Sequence, residues 1–173
     1  MFELIKKDIY KARASIGIRI FIVLLLKSPG FQVVIIYRLS SFLRKKRLAI
    51  LSLILDRLML HFWNAEIRST AVIGGGLNIA HPTGIVIGGK VIIGENFSIR
   101  QNTTIGGNTG KFRENMKNWT QPVIGNNVLI GCNAAVLGPV KIANDVKIGA
   151  CSLVINDIPD NEIWGGVPAK RIK

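Results

Sequence analysis

The sequence predicts a mainly β fold: a parallel β-helix of six-residue repeats over residues 66–173, preceded by a short α-helical segment over residues 1–65 and interrupted by one long inserted loop at residues 106–123. Two features carry that prediction. A branched apolar residue recurs every six positions through the second part of the chain, and glycine is unevenly divided, two of the 18 falling before residue 66 and 16 after it. Charge is skewed the other way, with 12 basic and 4 acidic side chains in residues 1–66 against 11 and 6 in residues 67–173. Two differently built segments therefore meet near residue 66.

The repeat runs Ile67, Ile73, Ile79, resumes after a step of eight as Ile87, Ile93, Ile99, Ile105, and resumes again as Ile124, Ile130, Val136, Ile142, Ile148, Val154. A helix repeats every 3.6 residues and a plain strand every two, so neither resets at six. Short flat strands joined by turns and wound into stacked coils do. The branched side chain points inward and stacks on its equivalents about 4.8 Å above and below. The small residue that often follows it, as in Ile73-Gly74 and Ile130-Gly131, leaves room for a tight corner.

The first 65 residues carry apolar stretches at 16–26, 31–37 and 48–60, separated by Lys27-Ser28-Pro29-Gly30 and Arg44-Lys45-Lys46-Arg47. Each is shorter than the roughly 20 residues of a bilayer span. Two or three helices are expected, with Pro29-Gly30 ending one of them. No small-residue cleavage site follows the first stretch, which argues against a secretory signal.

Composition narrows the chemistry. At 173 residues and 49% apolar, the chain can build one good core and is not disordered. Two cysteines make no disulfide framework or CxxC pair, and two histidines, His61 and His81, are too few for a three-histidine metal site, so no metal is expected. The net charge of +13 favours a polyanionic partner. Nucleic acid is not expected, because no recognition motif accompanies the basic residues.

Three stretches give the chain a family likeness: Ile79-Ala80-His81-Pro82-Thr83-Gly84-Ile85-Val86-Ile87-Gly88, Thr104-Ile105-Gly106-Gly107-Asn108-Thr109-Gly110-Lys111, and Gly165-Gly166-Val167-Pro168-Ala169-Lys170. With these the chain resembles the hexapeptide-repeat acetyltransferases with a left-handed β-helix, in their serine acetyltransferase-like branch. The resemblance covers roughly residues 60–173. It implies the left hand, a homotrimer, and acetyl-CoA as co-substrate lying in the groove between neighbouring subunits.

Chemistry is expected where the repeat breaks. The two-residue excess between Ile79 and Ile87 holds His81, and an imidazole can take a hydroxyl proton near neutral pH. By resemblance His81 is the general base, and Glu66, fifteen positions upstream, is the carboxylate that orients it. The inserted loop brings Gly107 and Asn108, whose amides would face the acetyl carbonyl and stabilise the oxyanion. Lys111 and Arg113 would meet the phosphates of CoA or remain solvated. Hexad register adds Gly131, Cys132, Gly149 and Ala150 as a surface for pantetheine, with Lys170 for phosphate. Cys132 has no histidine in its register to activate it as a nucleophile, and free thiols agree with a reducing cytoplasm.

Three positions depart from the serine acetyltransferase pattern. Thr120-Gln121-Pro122 stands where those enzymes have Arg-His-Pro, and Ala80 stands where they have an acidic residue. Without the Arg there is no charge-assisted grip on a carboxylate. The expected acceptor is therefore a sugar hydroxyl of a capsular or exopolysaccharide or its precursor, held by Gln121, Asn102, Gln101 and Trp119, with direct acetyl transfer. N-acetylation of an amino sugar stays open. So do two other readings: a serine O-acetyltransferase of cysteine biosynthesis, and a non-catalytic trimeric scaffold at the membrane. The expected location is cytoplasmic, with peripheral contact between the basic helical segment and the anionic inner face of the membrane.

Overall fold

The computed structural model describes residues 1–13, 15–107 and 120–173. The chain begins with α1 (Phe2–Arg13), α2 (Ile18–Lys27), α3 (Pro29–Lys45) and α4 (Ala49–Trp63). Four helices stand where two or three were expected. Residues 2–13 lack the apolar run that marks the others, and Pro29 opens a helix as well as following the end of one. Ser28 caps α3, its hydroxyl accepting from the Phe31 amide at 3.2 Å, and Pro29 occupies the first turn, where a missing N–H costs nothing.

Asn64, in the left-handed conformation, ends α4, and the β-helix starts two residues later. The first coil is β1 (Glu66–Ile67), β2 (Val72–Ile73) and β3 (Asn78–Ile79). The second is β4 (Val86–Ile87), β5 (Ile92–Ile93) and β6 (Ser98–Ile99). The third is β7 (Thr104–Gly106), β8 (Val123–Ile124) and β9 (Leu129–Ile130), and the fourth β10 (Ala135–Leu137), β11 (Lys141–Ile142) and β12 (Lys147–Ile148). Then β13 (Leu153–Val154), β14 (Ile163–Gly165) and the short antiparallel β15 (Lys170–Arg171) close the end. Every third strand pairs in parallel, giving three sheets on the faces of a left-handed triangular prism: β1-β4-β7-β10-β13, β2-β5-β8-β11 and β3-β6-β9-β12-β14-β15.

All thirteen periodic Ile and Val residues are buried, and so is the residue two before most of them, including Leu77, Ile85, Val91, Phe97, Val128 and Val146. Each hexad thus contributes two inward side chains, one on the strand and one at the corner before it. Asn96, Asn127 and Asp145 hold left-handed corners in successive coils, and their side chains bond in a ladder at 3.1 and 3.0 Å. Asn suits such corners because its short polar side chain tolerates positive φ.

The helices pack on the first coil through one buried ion pair. The Asp8 carboxylate accepts from Arg38 Nε at 2.9 Å and Nη2 at 3.0 Å, and from the Gly76 and Leu77 amides at 2.8 Å each. The remaining guanidinium hydrogens reach the Ile73 and Gly74 carbonyls at 2.6 Å. Nearby, α3 lies so close to β3 that a side chain at Gly30 would collide with the Ile79 carbonyl. Replacing one partner of a buried pair leaves the other uncompensated. Asp8→Ala is therefore expected to lose about 3–5 kcal/mol, read as a lower urea midpoint.

Tyr37 donates to the Ala71 carbonyl at 3.0 Å, and burial holds its pKa above the usual value. The fold thus favours the neutral phenol. Its stabilising contribution is complete below the unfolded pKa of about 10 and fades as pH rises through the higher folded value. Urea titrations from pH 8 to 11.5 should show a steeper alkaline loss for the native chain than for Tyr37→Phe.

Candidate active site

The two-residue excess proves to be His81 and Pro82 themselves. Ile79 pairs with Ile99, so Ala80 lies over Arg100. The Thr83 carbonyl accepts from Asn102, just as those of Gln101 and Cys132 accept from Asn133 and Cys151 one coil later each. Thr83 therefore lies over Gln101, and His81-Pro82 has no counterpart in the coil below. The pair bulges from the edge where the β3 face turns into the β4 face, leaving the imidazole exposed and Pro82 buried.

Glu66 begins the adjoining face, and the Gly84 amide bonds to the Asn64 carbonyl at 2.7 Å, so both residues flank one corner. The expected Glu66–His81 bond is not formed in this single chain. Glu66 pairs instead with Arg68 at 2.8 Å, and among the described residues no side chain bonds the imidazole. That ion pair is half-exposed and holds Glu66 weakly.

Down the same edge, Gly131 and Gly149 follow β9 and β12, and Gly165 ends β14, with Cys132 and Ala150 beside the first two. Lys170 pairs with Gly165 at the bottom. The coils stack tightly here: a Cβ on Gly131 would come within 2.6 Å of the Ala150 nitrogen. The edge is a strip of small, half-buried residues with a cation at its foot, which fits a long thin pantetheine ending in phosphates.

Gly107 and Gln121 lie elsewhere, on the edge between the β7 and β8 faces where the inserted loop leaves and returns. Gln121 packs over Gly88 and Gly107, and its Oε1 is buried with no hydrogen-bond partner among the described residues, as is that of Gln101. Asn108, Lys111, Arg113 and Trp119 lie outside the described residues. Asn102, expected to bind acceptor, holds a left-handed corner at φ 55°, its amide oxygen over Gly84, which is a structural position. Among the described residues no cluster of His, Cys, Asp or Glu is placed to hold a metal ion.

Arg100 is the residue that sequence reasoning missed. It is exposed directly below Ala80, beside the His81 bulge, and among the described residues no carboxylate pairs with it. Its signal was present in the repeat: the residue after the periodic Ile is usually small, and Arg100 and Arg68 are the charged exceptions.

Residues 121–156 match the family model "Bacterial transferase hexapeptide (six repeats)". Serine acetyltransferase from Helicobacter pylori is 39% identical over 148 residues, spanning 86% of this chain and 84% of that protein. The chain belongs to the serine acetyltransferase family. The crystal structure of the Neisseria gonorrhoeae serine acetyltransferase superposes with a TM-score of 0.87 at 30% identity, over 99% of this chain but only 66% of the longer Neisseria chain. A serine acetyltransferase in complex with CoA superposes with a TM-score of 0.84 at 29% identity, over 98% of this chain and 68% of that one. The chain is an acetyl-CoA-dependent acyltransferase, with acetyl-CoA as co-substrate.

These findings correct the acceptor. The capsular and exopolysaccharide branch, the sugar hydroxyl, and the saccharide contacts assigned to Gln121, Asn102, Gln101 and Trp119 are overturned by the match to serine acetyltransferases over 86% of the chain. Thr120 was read as the loss of a carboxylate grip, while Arg100 stands exposed on the neighbouring coil below Ala80. Gly131→Val is expected to cost about 1–3 kcal/mol by overpacking, whereas Cys132→Ala should leave turnover within about twofold because no base lies near the thiol to activate it. Melting curves and thiol-release rates check the two.

Proposed function

We propose that this chain transfers the acetyl group of acetyl-CoA to the hydroxyl of L-serine, the step that opens cysteine biosynthesis in the manner of its relatives. The observation that carries the reading is the edge on which a bulged histidine, an arginine unpaired among the described residues and a strip of small residues succeed one another. His81 takes the serine hydroxyl proton as its oxygen attacks the thioester carbonyl, and the imidazolium returns that proton to the departing CoA thiolate. Glu66 turns from its weak pair with Arg68 to orient the imidazole and support its charge. Arg100 holds the serine carboxylate by charge-assisted hydrogen bonds.

Gly107 and Gln121 sit on a different edge from His81, so the site in this reading is completed between copies, in a homotrimer. Gln121 Oε1, buried with no partner among the described residues, then accepts from the serine ammonium. The enzyme works in the cytoplasm beside its acetyl-CoA.

The test is thiol release from acetyl-CoA with L-serine. His81→Ala should lower kcat by about 10²–10⁴-fold, and Glu66→Gln by roughly tenfold or more. Arg100→Gln should raise the KM for serine at least tenfold while the KM for acetyl-CoA stays put, a split that a general folding defect would not produce. Absence of serine-dependent turnover in the native chain overturns the reading.

A further inference from the structure

The helix α4 is apolar on two sides, with Met59 buried in the core. Its packed stripe carries Ser52 and Asp56, both satisfied: the Ser40 hydroxyl donates to Asp56 at 2.5 Å and lies 3.0 Å from both Ser52 oxygens, and Asp56 accepts from the Ser69 amide at 3.4 Å. Its outward face is apolar, with Ile50 76% and Phe62 67% exposed and Leu51, Leu53, Ile54 and Leu58 between them. In α2, Ile18, Ile22 and Leu26 are likewise exposed. Gln32 links the two helices, donating to the Leu25 carbonyl at 2.7 Å and accepting from the Trp63 indole at 2.8 Å, so their last turns flank the first turn of α3.

The charges around these faces are of one sign. Arg19, Lys27, Arg44, Lys45, Lys46, Arg47 and Arg57 are exposed, whereas the one acidic residue between positions 15 and 65 is the inward Asp56. A second copy of the same face would bring like charges together with no acid to meet them. What fits is a surface that is apolar inside and anionic at its rim.

From this juxtaposition we propose that α2 and α4 dock on a lipid bilayer bearing acidic headgroups, with α4 lying in the interfacial plane. Its apolar residues enter the acyl boundary, and the Arg44–Arg47 cluster and Arg57 meet the headgroups. Among the described residues no single helix is long and apolar enough to cross a membrane; α2 and α3 reach that length and composition only as a pair bent by 108°.

Cosedimentation of the full chain with vesicles of phosphatidylcholine alone, or mixed equally with phosphatidylglycerol, tests this. Expected are at least tenfold tighter binding to the anionic vesicles and weakening by salt. Tenfold losses are also expected both in R44Q/K45Q/K46Q/R47Q and in Ile54→Asp/Leu58→Asp, with acetyl-CoA turnover retained in each. The unmodified chain decides alone if a variant misfolds: no binding, or equal binding to both vesicles, overturns the proposal. So does retained binding by a folded Ile54→Asp/Leu58→Asp chain. A fall in its sedimentation-velocity mass would then assign the face to contact between copies.

Discussion

The ion pair between Asp8 and Arg38 is the constraint on which the placement of everything else depends. A β-helix end is a ring of unpaired strand edges, and such an edge invites further pairing unless it is covered. Here α3 covers it, and α1 fixes α3 by inserting Asp8 between Arg38 and the Gly76 and Leu77 amides. Buried ion pairs add little net stability compared with apolar packing, because desolvation offsets most of the attraction. What this one supplies is direction. Six hydrogen bonds from two side chains, one 0% and the other 3% exposed, admit a single docking of helix on coil. The consequence reaches the site. The α4 C-cap at Asn64 is held at a fixed height, and its carbonyl receives the Gly84 amide three residues beyond His81.

Stacking then converts a small irregularity into a chemical feature. Every coil is locked to its neighbours by a parallel ladder with a shared register, so two extra residues cannot be spread along the chain and must leave the stack at one point. They leave at His81-Pro82. The proline stays buried and anchors the bulge, while the histidine projects from the edge. The small residues at Gly131 and Gly149 serve the same geometry, since adjacent coils approach too closely there for a side chain on Gly131. A strip of small, half-buried residues below an exposed histidine is what remains.

The fold was legible because its determinant is periodic. Thirteen branched residues spaced by six leave few alternatives, and the loop boundaries follow from where the spacing fails. The acceptor was not legible by the same means. Ala80, Thr120 and Gln121 were read together as losses, although a lost group matters only if nothing else reaches the same space. Arg100 is twenty residues from Ala80 in sequence but directly beneath it in the stack. The Asp8–Arg38 pair was invisible for the same reason, its partners being thirty residues apart on helices whose relative position no local pattern encodes. The polarity of α4 also escaped, because an apolar helix read alone gives no sign that Ser52 and Asp56 point inward while leucines and isoleucines face out.

The two loop-side residues and the histidine edge do not meet within one chain. His81, Arg100 and the glycine strip occupy one edge of the prism; Gly107 and Gln121 occupy another, a full face away. A rigid prism cannot fold one edge onto the other, since the hydrogen-bonded ladders of all three faces would have to break. Side-by-side copies can bring unlike edges together with no internal movement, and a rotation that pairs the edges of two copies can close on a third. Rigidity, which fixes His81 and the strip, therefore also keeps Gly107 and Gln121 a full face away from them within one copy. That division agrees with the charge of the helical end, where outward cations surround apolar faces and oppose a second, end-to-end association.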